Sequence, residues 1–165
     1  MNTIKTINFE NVEEKEYKDF RTRNTARAIV FDNENNIALL HVTSEGFHKL
    51  PGGGIDEGED SKAALIRECK EEVGISIEIT DELGLIQEIK KESKTVQNSF
   101  CYTAKIIGEK GGVLLTESET ERGFMVEWVS LDDAVKIIKS DGYSNIGGRY
   151  VYERELNIFE EYQKI

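Results

Sequence analysis

The chain has 165 residues, 38% of them apolar and 32% charged, with a single proline. That length suits one domain able to bury about two thirds of the surface of its unfolded chain, and the composition excludes a disordered or fibrous protein. With 21 basic against 32 acidic side chains, a net charge of −11, there is no basic face to grip long nucleic acid through its phosphates, and a small phosphorylated ligand would need cations gathered locally.

The N-terminal stretch "MNTIKTINFENVEEKEYKDF" holds no long apolar run. Neither a secretory leader nor a membrane anchor is therefore expected, and the protein is expected in the cytoplasm with no membrane partner. "TARAIVFD" and "NIALLHV" are apolar, β-branched-rich runs split by the turn residues "NEN", which predicts two hairpin-connected strands. Behind the glycines at 52 to 54, "DSKAALIRECKEEV" predicts a helix of about thirteen residues, with Asp60 or Ser61 as N-cap and Gly74 as its stop. "LGLIQEI" and "VQNSFCYTAKIIG" predict a second strand pair across a charged turn, and "FMVEWVSL" a further strand. Ser130 with Asp133 forms a capping-box pattern opening a short helix, "LDDAVKIIK". In the tail, Tyr152, Leu156 and Phe159 recur at helical spacing, predicting a last helix over about 148–164. Strands interleaved with helices in mixed order suggest an α/β (α+β) sandwich. Residues 1–165 read as a single domain with its core at about 25–139, without repeat, linker or low-complexity segment. Cys69 and Cys101 read as small core residues of a protein in a reducing compartment.

From Asp56 to Glu72 the chain carries seven carboxylates in seventeen residues, directly behind three glycines. On a helix turning about 100° per residue, Leu65, Ile66, Cys69 and Val73 form one apolar arc while Glu68, Glu71 and Glu72 share the adjoining one. The like-charge pairs Glu68/Glu72 and Glu68/Glu71 each cost a few tenths of a kcal/mol on an isolated helix, and the C-terminal half of a helix disfavours anions. Arg67, one turn before Glu71, relieves only part of this. A hard divalent cation, Mg²⁺ or in its place Mn²⁺, would resolve the repulsion, because such ions prefer carboxylate, carbonyl and water oxygens. Taken alone, "KEE" is more often a solvated helix face and a glycine triplet more often a turn. Their joint spacing tips the reading.

Gly53, Glu59, Arg67, Glu68, Glu71, Glu72 and Gly74 match all seven fixed positions of the signature box of the Nudix hydrolases. The chain resembles that family, and "LPGGG" with "EWVSLDDA" extends the likeness over about Thr25 to Lys139. Cys69 stands where the family has Leu, Ile or Val, and His48 where many members have Trp. The resemblance implies a mixed-sheet α/β/α sandwich whose box forms a loop–helix–loop that holds divalent metal against a diphosphate. It implies hydrolysis of a nucleoside diphosphate linked to another group. It further implies Glu68, Glu71, Glu72 and the Gly53 carbonyl as metal ligands, one of the glutamates as base, Arg67 as orienting partner of a box carboxylate, and Glu59 as a structural residue. Electrostatics lead the same way: a diphosphate would be repelled by the three glutamates unless cations lay between. Glycines at 52 to 54 let the backbone approach such a centre without a Cβ.

Other phosphate motifs fail. Gly53 and Gly58 have P-loop separation, but Glu59 stands where Lys is required; an EF-hand loop counted from Asp56 puts Gly58 where a ligand oxygen belongs. Beyond the box, "TESETERG" offers Glu119 or Glu121 as an additional ligand or base, with a solvated loop as the plain alternative. His41 and His48 read as surface or packing residues, and Arg21, Arg23 and Arg27 as surface charge. Tyr143 and Tyr150 could stack on a base, with Tyr152 in the core. The only proline is Pro51, so the downstream proline of ADP-ribose-type members is missing. The expected partner is a small-molecule nucleotide: a triphosphate, ordinary or oxidised, cleaved to monophosphate and pyrophosphate. ADP-ribose or another nucleoside-diphosphate sugar is the alternative, and a nucleotide-sensing module without activity is disfavoured by the full set of box glutamates. A homodimer is compatible with the sequence but demanded by nothing in it.

Overall fold

In the computed structural model, which describes residues 1–165, the expected strand pairs become two halves of one seven-stranded mixed sheet. In chain order the strands are β1 (Thr3–Ile7), β2 (Arg21–Phe31), β3 (Asn36–Val42), β4 (Phe47–Lys49), β5 (Ser76–Lys90), β6 (Thr95–Ile107) and β7 (Phe124–Ser130). The helices are α1 (Glu14–Tyr17), α2 (Ser61–Glu68), α3 (Glu117–Glu121), α4 (Leu131–Asp141) and α5 (Ile146–Tyr162). The strand order is β1-β5-β6-β2-β3-β4, with β7 on the far side of β3. β5 and β6 pair antiparallel as a long hairpin, whereas β1 runs parallel to β5 and β2 parallel to β6. The α/β sandwich with a mixed sheet is thus what forms. No helix is long and apolar enough to cross a membrane.

The β2–β3 connection departs from a simple hairpin. The two strands meet in a single pair, Phe31 with Ile37, after which β3 swings away to pair with β7 along its whole length. Residues 51–55 take the edge of β2 that β3 leaves: Ala28 N donates to Pro51 O, Ala26 N to Gly53 O, and Ile55 N to Asn24 O. A strand cannot leave unpaired N–H groups beside a core without cost, so this substitution is what carries the glycine loop across β2.

The turn before β3 is held by Asp32, whose carboxylate accepts from the N–H groups of Glu34 and Asn36 and from Lys110 Nζ at 2.8 Å. Burial by itself would raise this carboxyl, but those three donors outweigh it and hold it below the ordinary range. A depressed carboxyl contributes stability above its unfolded value and loses it as pH falls through the folded one. Asp32→Asn should therefore cost about 1–3 kcal/mol at neutral pH, with the gap to wild type closing in acid. Urea denaturation at both pH values checks this, and a gap independent of pH would mean the charge is not the source.

Side chains on the two faces of β2 feed two cores. Ala26, Ala28 and Val30 pack with Ala64, Leu65 and Cys69 under α2. Ile29 joins Ala134, Ile138, Tyr150, Ile158 and Phe159 beneath α4 and α5. Both cysteines are buried and free.

Asp60 rather than Ser61 caps α2, accepting from the N–H groups of Lys62 and Ala63. The expected helical stretch does run to Val73, but Cys69–Val73 is a π-helical turn, closed by Gly74 at φ 72°. Ile66, expected on the apolar arc, is 45% exposed; the buried stripe runs Leu65, Cys69, Val73 and leaves Ile66 beyond its edge. In α5 the buried residues are Tyr150, Arg154, Glu155, Ile158 and Phe159, with Tyr152 and Leu156 half-buried on the flank. A paired Arg and Glu occupy positions that an apolar-spacing rule leaves to solvent, so the rule lands one step to the side. Ser130 caps α4 as expected, accepting from Asp133 N while donating its hydroxyl to the Asp133 carboxylate. β1 was not foreseen because "TIKTI" is mostly exposed, with only Ile7 buried and Ile4 half-buried against the core.

Candidate active site

The π-helical turn sorts the three glutamates. An i→i+5 turn fits more residues into each revolution than an α-turn, so each residue advances by less than about 100°. Glu72 therefore stays in line with Glu68, while Glu71 falls behind to the side. Glu68 is 9% and Glu72 only 2% exposed, whereas Glu71 is half-buried at the rim. The carboxylate that joins Glu68 and Glu72 is Glu119 on α3: oxygens of these three lie within 4.8 Å of one another. Glu121 is not in this group. The structure thus separates two residues that the sequence left equivalent. Thr116, which caps α3, donates its N–H to Glu119 Oε2 at 2.8 Å and so orients the carboxylate.

Arg67 ties the box together. Its Nε and Nη2 bind both oxygens of Glu59 at 3.0 and 2.9 Å, Nη1 bridges Glu68 at 2.9 Å and Glu71 at 3.2 Å, and Nη2 also donates to Gly54 O at 2.9 Å. The fork-on-fork pairing with Glu59 is the main reason the guanidinium holds its proton more firmly than usual. Glu72 is clamped from two sides, by Lys49 Nζ at 2.8 Å and by Gly52 N at 2.9 Å. Burial lowers Lys49 and Glu72 pulls it back up without fully compensating. Burial, and then the neighbouring Glu72, raise the Glu68 carboxyl despite its bond to Arg67. The pocket resists a full complement of negative charge.

The glycines allow this packing. Gly52 sits at φ 126°, and a Cβ there would fall 2.0 Å from Ala26 O. At Gly53 a Cβ would lie 2.4 Å from the Glu68 carboxylate. The Gly53 carbonyl, expected to face a metal, accepts the Ala26 N–H at 3.0 Å, which uses one of its two lone pairs.

Arg27 corrects the reading of surface charge. It is buried beneath the loop, donating to Gly52 O and Leu50 O, and its Nε has no partner. Burial, with Arg154 close by, makes it a weaker base than an ordinary arginine. Arg23 lines the same cleft together with Lys90, Arg122, Arg154 and the three carboxylates, and Arg21 does not. The place of Arg27 on β2 between Ala26 and Ala28 was a usable signal: a charge inside an apolar strand needs a partner there. Tyr150 is core, with its hydroxyl on Ile89 O, so it cannot stack on a base. Tyr143 packs edge-on against Tyr152. His41 and His48 stack on each other and do not line the cleft.

An all-oxygen group of three carboxylates, two of them buried, suits a hard divalent ion. The residues present fit Mg²⁺.

Comparison with known proteins agrees with this geometry. A family model described as the NUDIX domain matches residues 21–147. An RNA pyrophosphohydrolase of Wolbachia pipientis is 35% identical over 134 residues, covering 78% of this chain and 70% of that protein. An 8-oxo-dGTP diphosphatase of Proteus vulgaris is 32% identical over 63 residues, 36% of this chain and 56% of that protein. Among solved structures, a NUDIX hydrolase from Nitrosomonas europaea superposes with a TM-score of 0.67 at 17% identity, over 87% of this chain and 90% of that one; this likeness shows the fold.

Proposed function

The chain belongs to the Nudix hydrolase family, a family of phosphoanhydride hydrolases, and on that premise we propose that it cleaves a nucleoside triphosphate, ordinary or oxidised, to monophosphate and pyrophosphate with Mg²⁺. The observation that carries this reading is the gathering of Glu68, Glu72 and Glu119 within 4.8 Å beside a cleft whose other charged groups are cations. The cleft holds about 280 Å³, small for a whole nucleotide, since pockets that enclose drug-sized ligands start at about 300 Å³. A phosphate chain inside with the nucleoside projecting outward fits that space.

Glu68 and Glu72 would hold the ion, with the second lone pair of the Gly53 carbonyl open to it. Glu71, expected among the ligands, is bonded to the same Arg67 nitrogen as Glu68 and stays at the rim, outside the carboxylate group and the cleft lining. Mg²⁺, or Mn²⁺ in its place, supplies neutralisation of the phosphoryl oxygens and a more acidic water. Glu119 is free of the Arg67 and Lys49 contacts and takes the proton of the attacking water. The water oxygen bonds to phosphorus, the anhydride P–O bond breaks, and pyrophosphate leaves. Arg23 and Arg122, which line the cleft, donate to phosphate oxygens, while the unpartnered Nε of Arg27 stays sealed beneath the loop.

The Wolbachia relative supports a second reading, the same triphosphate on an RNA end. With a net charge of −11, only the terminal nucleotides of such an RNA would be held. Incubation with Mg²⁺ and a panel of NTPs, dNTPs, 8-oxo-dGTP, ADP-ribose and a 5′-triphosphorylated oligoribonucleotide separates these. Pyrophosphate release from free triphosphates is expected. Strong preference for the oligoribonucleotide would replace the first reading with the second, and turnover of ADP-ribose alone would overturn both.

A further inference from the structure

A second cluster of ligating side chains lies on the other face of the β3–β4–β7 layer. Leu40 pairs with Lys49 and His41 with His48, so strand alternation sends Leu40 and Lys49 toward α2 and both histidines toward α4. Glu127 of β7 pairs with Leu39 and shares the histidine face. The two imidazoles stack 4.1 Å apart at 17°. His41 Nδ1 lies 3.5 Å from Glu127 Oε1, and His48 Nε2 lies 3.5 Å from Glu127 Oε2. Both separations are too long for good hydrogen bonds. They leave room between the imidazoles and the carboxylate for an ion with bonds of about 2.0–2.1 Å to nitrogen and oxygen. All three donor atoms lie within 4.8 Å of one another.

Asp141, the last residue of α4, sets the orientation of His48. Its Oδ2 accepts the His48 backbone N–H at 2.7 Å, and both its oxygens lie 3.1 Å from Nδ1. In the tautomer with its proton at Nδ1, His48 donates to Asp141 and presents the Nε2 lone pair toward Glu127. A carboxylate behind a histidine is the arrangement that fixes tautomer and ring angle in zinc sites.

We propose that His41, His48 and Glu127 form a binding site for a transition-metal ion, Zn²⁺ foremost, separate from the carboxylate cleft, with Asp141 as positioning residue and a fourth position open to solvent. Imidazole donors favour Zn²⁺ and its neighbours over Mg²⁺. The ion joins β3, β4 and β7 to α4, one residue before the lysine that clamps Glu72.

Co²⁺ reports on such a site through its visible absorption when four-coordinate. The full chain is titrated with Co²⁺ in a large excess of Mg²⁺, and Zn²⁺ is then added. A single equivalent giving the absorption band, displaced by Zn²⁺, is expected. His41→Gln and Glu127→Gln, both at half-buried positions, should weaken Co²⁺ binding by about tenfold or more, and Asp141→Asn by less. Glu68→Gln should leave it unchanged. Melting without metal confirms that each variant is folded. No band in the wild type, a band that survives both His41→Gln and Glu127→Gln, or a band lost with Glu68→Gln overturns the proposal.

Discussion

Replacing Glu68 by Gln should lower turnover by about 10²–10⁴-fold while leaving the metal-free protein at least as stable as wild type near neutral pH. The loss follows from removing an ion ligand: several kcal/mol of charge stabilisation at the phosphoryl group disappear, and each 1.4 kcal/mol or so is a factor of about ten. The gain in stability follows from the pocket itself. Burial and Glu72 raise the Glu68 carboxyl above its unfolded value. A group raised in this way contributes stability below the unfolded carboxylate range and loses it as pH rises through the folded value. Above the folded value the Glu68 charge is thus a burden that Gln lifts, and in acid the two proteins should converge. Added Mg²⁺ should raise the melting temperature of the wild type and not that of the variant. Glu72→Gln makes the contrast. It should lose activity as far, but it strips Lys49 of the carboxylate 2.8 Å away and should therefore lose stability too. Thermal melts and steady-state turnover across pH decide the matter. A Glu68→Gln protein that keeps its activity, or that melts well below wild type at neutral pH, would make these glutamates structural.

Much of this site was legible in the sequence because its logic is local. Arg67, Glu68 and Glu72 are close along the chain, and a helix brings them together beside the loop that carries Gly53. What the sequence hid depends on partners far along it. Glu119 reaches the box from an acidic loop in which Glu121 is chemically equivalent, and only the short turn of α3 chooses between them. Arg27 looked like surface charge because its partners, the carbonyls of Leu50 and Gly52, arrive through a loop that displaces β3 from β2. The π-helical turn that sets Glu71 aside has no signature in composition. The strands were readable from their apolar runs, yet the divergence of β2 and β3 after one residue pair was not, since two apolar runs joined by turn residues read as an ordinary hairpin.

The same distant partnership makes Arg154 the residue whose loss should cost most in stability. It lies on α5, fully enclosed, with Nε and Nη2 on Glu155 Oε1 at 3.0 and 2.6 Å and Nη1 on Glu88 Oε2 at 3.3 Å. Burial alone would weaken it as a base, but Glu155 and Glu88 more than reverse this. Glu88 also accepts from Gln97, and Glu155 Oε2 accepts the Leu50 N–H at 3.2 Å. The network thus ties α5 to the loop that carries Gly52 and Gly53. Arg154→Met fills most of the volume but leaves two buried carboxylates short of their shared cation, a change that typically costs about 3–5 kcal/mol, a large fraction of a domain's total of about 5–15 kcal/mol. Adding Glu88→Gln removes one stranded charge, so the double variant should unfold at higher urea than Arg154→Met alone, a coupling that independent sites would not show. Because Leu50 follows the lysine that clamps Glu72, KM should rise in the single variant even where it remains folded. A loss below about 1 kcal/mol, the range of an exposed ion pair, would show that α5 packs on the body through its apolar face and that the ion network does not position the loop.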